Sequence, residues 1–242
     1  CPTVYPCCSR TERDAFSQAG SMDRSVQTPM DSTNQKRGSG ASRSIVAEIG
    51  NPMDKIKNYD LIVHGRICVT PGGVLQLDIG IEGGRIASIG DLSDKSAEER
   101  IDAAGLHVLP GVIDSQVHFR EPGLEHKEDL QSGTESAARG GVTTIFDMPN
   151  TNPSTTSPEA LAEKVKRGRD KAWVDFAFFA GAAEESLEHL AQMERQEGCA
   201  GIKIFMGSST GSLLVDDPMV LEQVLLRGTR RIAVHCEDEA RL

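Results

Sequence analysis

The sequence predicts an α/β protein in which a small β unit precedes five strand–helix repeats. Between Tyr59 and Gly90, short alternating strands are separated by glycine-rich turns, which indicates antiparallel pairing. From Val108 onward, apolar strand-like segments alternate with helical segments, which indicates parallel strands joined by right-handed crossovers. We therefore divide the chain into residues 1–52, 53–107 and 108–242.

Residues 1–52 are rich in Ser, Thr, Gly, Asn, Gln and Arg and show no apolar periodicity. A segment of this composition cannot bury enough apolar surface to offset its chain entropy, so we expect it to be disordered. Ordered patterning begins just after Met53, which is a plausible start of the natural protein. We expect the preceding segment to be a non-native extension, with a functional basic arm as the alternative.

Residues 53–107 hold the β unit. Its predicted strands are 60–69, 76–81 and 85–90, with turns at 71–73 and 82–84. A unit of this size needs to pack against something else to be stable.

Residues 108–242 hold the strand–helix repeats. The predicted strands are 108–118, 142–147, 174–179, 201–205 and 231–235, and the predicted helices are 127–139, 158–170, 184–197 and 217–227. Ser157-Pro158 and Asp217-Pro218 each combine an N-cap with proline at the first helical position. Five such units fit an open doubly wound sheet, or a (β/α)8 barrel cut after its fifth strand.

Composition excludes several classes of function. The formal net charge of −10 makes the chain a poor candidate for nucleic-acid binding. No apolar run is long enough to cross a membrane, and no stretch resembles a secretory signal. The six cysteines form no CxxC pair, and Cys199 and Cys236 lie in or beside apparent core strands, where thiols act as small hydrophobes. We expect a cytoplasmic protein without disulfides.

The segment Asp114–Gly123 carries the strongest signal for chemistry. We expect its strand, 108–118, to be buried and to end by presenting His118 and Arg120 on the same side, since strand side chains repeat every second residue. A metal-ligand type and a carboxylate-clamp type therefore converge, which predicts a metal-assisted reaction on a small anionic substrate. A core histidine beside a surface arginine is the alternative.

Other polar residues stand at the ends of the following strands. Lys203 lies between Ile202 and Ile204, and a charged, unpaired lysine is costly in a buried strand. It could form an ion pair, act as a neutral nucleophile, or become a carbamate that bridges two metal ions. His235, predicted on the neighbouring strand, is then a candidate metal ligand.

The segment Gly207–Gly211 could cradle a phosphate, but it lacks the Gly-Lys-Ser/Thr ending of a phosphate loop. An active-site or connecting loop is the favoured interpretation.

Four motifs occur in order at strand-end spacing: His-Phe-Arg-Glu-Pro-Gly from His118, Met-Pro-Asn-Thr from Met148, Gly-Ile-Lys-Ile-Phe-Met from Gly201, and His-Cys-Glu from His235. Together they resemble a dihydroorotase of the cyclic amidohydrolase superfamily, over about residues 61–242. The resemblance implies a zinc-dependent (β/α)8 barrel that interconverts L-dihydroorotate and N-carbamoyl-L-aspartate in pyrimidine biosynthesis. Residues 60–90 would then belong to an N-terminal β-sandwich.

The resemblance also implies roles for individual residues. His118 would bind the more buried metal, Lys203 as a carbamate would bridge two metals, and His235 would bind the second. Arg120 and Asn150 would hold the substrate carboxylate. Allantoinases and hydantoinases, whose substrates lack that carboxylate, are the nearest alternative.

Two departures from the family pattern matter. Gln116 stands where the family has the first histidine of His-x-His, which leaves one or two zinc ions open, with Gln116 as a further candidate ligand. It also leaves open a non-catalytic dihydroorotase-like subunit. The family's later histidine ligand and general-base aspartate would lie beyond Leu242, so we expect this chain alone to be inactive and its barrel to be truncated. The expected partner is the small-molecule substrate, and a homo-oligomer is left open.

Overall fold

The computed structural model of the chain describes residues 58–207, 213–238 and 241. The described residues form two compact units, divided between Val108 and Leu109. The predictions for residues 1–52 and for residues 208–211 of the Gly207–Gly211 segment fall outside the described residues. Among the described helices, none is long and apolar enough to cross a membrane.

The first unit is a five-stranded sheet in which the first strand pairs with three others. Its strands are β1 (Asn58–Thr70), β2 (Gly73–Leu75), β3 (Asp78–Glu82), β4 (Arg85–Gly90) and β5 (Ser96–Val108). The path β2-β1-β3-β4 is antiparallel, as predicted, whereas β5 pairs in parallel with β1. β5 was not predicted, because its charged residues hide any apolar alternation.

The second unit is a parallel sheet covered by helices. Its strands are β6 (Val112–Val117), β7 (Val142–Asp147), β8 (Asp175–Gly181), β9 (Cys199–Phe205) and β10 (Ile232–His235), and its helices are α1 (Leu130–Gly140), α2 (Pro158–Lys171), α3 (Leu190–Met193) and α4 (Pro218–Arg227). Each strand pairs in parallel with the one before it in the chain. A doubly wound sheet would reverse its strand order at a switch point, so this order is that of a partial (β/α)8 barrel.

The two faces of this sheet have different partners. Ile202 and Ile204 pack in one core cluster with Leu190 of α3 and Val224 of α4. Side chains alternate along a strand, so Lys203 and Phe205 lie on the opposite face. That face has its own apolar cluster, which includes Met148, Phe179, Ala200 and Ala233. In a barrel this second face is the interior.

Helix ends follow the predicted capping signals. Ser157 accepts a hydrogen bond from the Ala160 N–H, and Asp217 accepts one from the Met219 N–H, with proline following each cap. These contacts satisfy N–H groups that the first turn of a helix leaves free. The predicted bounds of α2 and α4 are accordingly correct within one residue.

Three expectations were wrong. The first strand of the repeats is not a buried segment 108–118: β6 spans Val112–Val117 at the edge of the sheet, and Val112 and Ile113 are more than half exposed. The helix expected at 184–197 is instead a 3-10 turn, Glu184–Ser186, followed by the short α3. Cys236 is exposed rather than a core thiol, because it follows the last residue of β10.

Candidate active site at the carboxyl ends of the strands

In the segment that follows β6, buried side chains alternate with half-buried ones. Phe119 belongs to the core cluster between sheet and helices, and Glu121 is fully buried. His118 and Arg120 are half-buried residues that alternate with them. This alternation agrees with the predicted common direction of His118 and Arg120, although both residues lie just beyond the strand.

Asn150, from the loop after β7, contacts both of these residues. Its side-chain oxygen Oδ1 lies 2.8 Å from Nδ1 of His118. Its backbone carbonyl accepts a hydrogen bond from Nη1 of Arg120 at 3.3 Å. An amide oxygen can only accept, so Nδ1 of His118 donates, and the Nε2 atom of the neutral ring keeps its lone pair. Three residues predicted to act together are therefore adjacent.

The loops that carry these residues touch at Gly123. The Asn152 N–H donates to the Pro122 carbonyl at 2.9 Å. Gly123 has a φ of +89°, and a Cβ atom there would overlap the carbonyl oxygen of Asn152. Only glycine combines this backbone conformation with so close an approach.

Lys203 lies in the middle of β9 and is 2% exposed. Its Nζ atom is 4.8 Å from the centroid of the Phe205 ring. Burial lowers the pKa of its ammonium group. Among the described residues no carboxylate lies within ion-pair distance of Lys203, so the ion-pair interpretation of this lysine finds no partner there.

His235 ends β10, the strand next to Lys203 as predicted. It is in register with Phe205, and the centroids of the two rings are 6.0 Å apart. Its Nε2 atom lies 3.0 Å from Oε2 of Glu237. The Phe205 ring therefore contacts both Lys203 and His235 on the face of the sheet that lies away from the helices.

The remaining metal-ligand candidates are less closely grouped. Gln116 is exposed near the end of β6. Within the described part of the chain, no group of three or more His, Cys, Asp or Glu residues is arranged to hold a metal ion. The roles of His118, Gln116, Lys203 and His235 as ligands stay predictions.

A buried ion pair beneath the site was not foreseen. Asp147 at the end of β7 and Lys164 in α2 have fully buried side chains, with Oδ2 and Nζ 2.7 Å apart. Oδ1 of Asp147 accepts the Phe119 N–H at 2.8 Å, and Nζ of Lys164 donates to the Met148 carbonyl at 2.8 Å. Burial raises the pKa of the Asp147 carboxyl and lowers that of the Lys164 ammonium, and the attraction within the pair partly offsets both shifts.

The sequence did contain a signal for this pair. Lys164 occupies the same helical stripe as Leu161, Val165 and Gly168, all of which are buried. A lysine in an apolar stripe needs a buried partner. Asp147, the last residue of β7, is that partner rather than a group facing the site.

A second buried carboxylate, that of Glu121, ends the segment 118–121. Glu121 accepts the Leu130 N–H at 3.1 Å and pairs with Arg167 and Lys171 of α2. The carboxylates of Asp147 and Glu121 are therefore both held by cations of α2.

Comparisons with known proteins agree with this architecture. Residues 105–208 match the family model described as dihydro-orotase-like. An allantoinase from Bacillus velezensis is 38% identical over 75% of this chain and 41% of its own length. A dihydroorotase from Methanothermobacter thermautotrophicus is 39% identical over 68% of this chain and 37% of its own length.

A solved structure is also similar to this chain. The L-hydantoinase of Arthrobacter aurescens matches with a TM-score of 0.67 and 34% identity, over 75% of this chain and 42% of that one. The chain spans about two fifths of the length of the curated relatives it matches.

Proposed function

We propose that this chain, for which the comparisons support the cyclic amidohydrolase superfamily, belongs to a protein that reversibly hydrolyses L-dihydroorotate to N-carbamoyl-L-aspartate. The observation that carries the proposal is the adjacency of Arg120, Asn150 and His118 at the ends of two neighbouring strands. It joins a carboxylate-binding group to a candidate metal ligand. A cyclic substrate with a carboxylate uses both.

Arg120 supports the choice of substrate. Its guanidinium group offers parallel N–H donors that match a carboxylate, and the bond to the Asn150 carbonyl uses one nitrogen, Nη1. The Nδ2 donor of Asn150 adds a further hydrogen bond, because Oδ1 is already taken by His118. Together these two residues would bind and orient the ring through its carboxylate.

The donor set fits zinc in part. Metal-binding histidines usually donate their other ring nitrogen to an oxygen acceptor, which is what His118 does toward Asn150. Lys203 is buried without a carboxylate among the described residues, and its lowered pKa favours the neutral amine that can combine with carbon dioxide, losing a proton to give an anionic carbamate. His118, the Lys203 carbamate and His235 would hold the ions, with Gln116 as a neutral further donor.

Bound zinc would polarise the ring carbonyl and lower the pKa of a coordinated water. The chain's own residues provide the rest of the site described here. Arg120 and Asn150 hold the substrate, and the Asn150 side chain keeps His118 in one tautomer. The Phe205 ring shields the Lys203 amine on one side from water.

Two alternatives rest on separate observations. The allantoinase and L-hydantoinase relatives, at 38% and 35% identity, favour a cyclic amide substrate without a carboxylate. Gln116 in place of histidine favours a non-catalytic subunit. In that case Arg120 and Asn150 would have no substrate to hold.

The test offers dihydroorotate, allantoin and hydantoin separately to the purified whole protein supplied with zinc. We expect turnover of dihydroorotate in both directions. Turnover of only allantoin or hydantoin would refute the proposed substrate and favour the first alternative. A protein that hydrolyses none of the three would favour the non-catalytic subunit.

A further inference from the structure

We propose that Asp147 and Lys164 are positioning residues. From the helix-covered side of the sheet, they fix the loop after β6 and the loop after β7 relative to each other. The inference rests on the proposed function for its kinetic consequence, but its structural part stands on contacts alone. Both side chains are fully buried, and neither has access to a substrate. Each makes one directional hydrogen bond to the backbone of a different loop.

The first bond fixes the loop after β6. Oδ1 of Asp147 accepts the N–H of Phe119, the residue between His118 and Arg120. That N–H belongs to the peptide group that joins the Cα atoms of His118 and Phe119. The carboxylate therefore fixes where the imidazole leaves the backbone, and Arg120 follows one residue later.

The second bond fixes the loop after β7. Nζ of Lys164 donates to the carbonyl of Met148, two residues before Asn150. The same nitrogen pairs with Asp147, so α2 connects the two loops through a single pair of charges. The contact between His118 and Asn150 depends on the relative placement of these loops.

Stability alone does not explain a charged pair at this position. Replacing a buried ion pair with apolar residues of similar volume is often neutral or stabilising. What apolar residues cannot supply is the acceptor for Phe119 and the donor for Met148. The function that we assign to the pair is therefore to orient two backbone groups, the Phe119 N–H and the Met148 carbonyl.

The experiment compares two double variants of the whole protein. Asp147→Leu with Lys164→Met removes both charges and both backbone contacts. Asp147→Asn with Lys164→Met is also uncharged but keeps an acceptor for the Phe119 N–H. Leu161→Ala, in the same helix and equally buried, controls for general destabilisation because it touches neither loop's polar groups.

Two readouts are taken well below the melting temperature of every variant. Amide hydrogen exchange across residues 117–124 should be at least tenfold faster in the Leu/Met variant than in the Asn/Met variant or in Leu161→Ala. The kcat/KM of whichever substrate the wild type hydrolyses should fall at least tenfold in the Leu/Met variant, recover in part in the Asn/Met variant, and stay within twofold in Leu161→Ala.

Equal exchange in the two double variants, or kcat/KM of the Leu/Met variant within twofold of wild type, would overturn the proposal. A wild type without hydrolytic activity would refute the proposed function instead, and the exchange measurement would still decide the positioning role. If the Leu/Met variant does not fold, the Asn/Met variant, which is uncharged and also lacks the Met148 bond, is compared with the wild type. Exchange across residues 148–152 should then accelerate, and unchanged exchange there would contradict the inference.

Discussion

The hydrogen bond between the His118 ring and the Asn150 side chain can be removed without disturbing the neighbouring contact of Arg120. Asn150→Ala deletes the Oδ1 acceptor that lies 2.8 Å from the imidazole. Arg120 bonds to the backbone carbonyl of residue 150, which alanine retains. The variant therefore tests whether the amide orients the histidine.

The expected magnitude follows from the kind of contact. Loss of an outer partner of a metal-binding histidine typically costs 10- to 100-fold in metal affinity or activity. A net hydrogen bond contributes about 1 kcal/mol, and each factor of ten corresponds to about 1.4 kcal/mol. Because the pair is only partly buried, we expect Asn150→Ala to lose about tenfold in zinc affinity, at the lower end of that range.

Asn150→Asp separates the two roles proposed for this residue. A carboxylate accepts a stronger hydrogen bond from the imidazole, so zinc affinity should be retained or raised. The same change replaces the Nδ2 donor with a negative charge beside the substrate carboxylate. The KM for dihydroorotate should therefore rise at least about tenfold, which corresponds to about 1.4 kcal/mol.

Zinc affinity is measured on the whole protein by competition with a chelator of known affinity, and KM by steady-state kinetics. Asn152→Ala is the matched control, since it removes the same side chain two residues away, from an exposed position. Wild-type zinc affinity in Asn150→Ala would refute the orienting role. An unchanged KM in Asn150→Asp would remove Asn150 from the substrate site.

Four further predictions concern single side chains. Arg120→Lys should lower kcat/KM at least about tenfold because an ammonium group cannot reproduce a two-donor clamp, and near wild-type kinetics would show that Arg120 does not touch the substrate. Lys203→Ala should reduce bound metal to one weak ion or none, and added short carboxylates should partly restore activity; unchanged metal content would refute the carbamate. Gln116→His should raise metal affinity or content, because imidazole is the stronger donor. Elemental analysis measures the metal content of both variants. Burial raises the pKa of the Cys199 thiol, so less reactive thiolate forms at a given pH, and iodoacetamide should label Cys199 far faster in urea than in the native protein, with equal rates contradicting its burial.

Local signals predicted much of the second unit. The bounds of β7 were predicted without error, because a short apolar run follows the helix-ending Gly140-Gly141 and precedes the Pro149 loop. The prolines at 158 and 218 marked the first residues of α2 and α4. Such signals depend on backbone conformations that a few residue types favour strongly.

Features that depend on tertiary contacts were harder to predict from the sequence. The burial of β6 was overestimated because an apolar sequence does not reveal which strand lies at a sheet edge. The segment 184–197 has helical composition, yet Gly198 and the buried side chain of Glu194 belong to a tight turn. Glu194 accepts hydrogen bonds from Thr229 and Arg230, which lie too far along the chain for local patterns to indicate.

The candidate site shows the same division. Lys203 could be chosen because a lysine is unusual inside a buried strand, and His118 and Arg120 because they stand two residues apart where a strand ends. The hydrogen bond between His118 and Asn150 could not be predicted from local patterns, since it joins residues from two loops. The Asp147–Lys164 pair required knowing which strand the buried stripe of α2 covers.

The close approach at Gly123 sets a limit on how this protein can vary. Any side chain at that position would push the carbonyl of Asn152 away, and with it the loop that presents Asn150 toward Arg120. In a saturation-mutagenesis library selected for activity, position 123 should therefore accept almost no substitution, even though the residue is exposed. Loop length on either side should be similarly restricted, so new substrate preferences would arise more readily by changing side chains within these loops than by inserting or deleting residues in them.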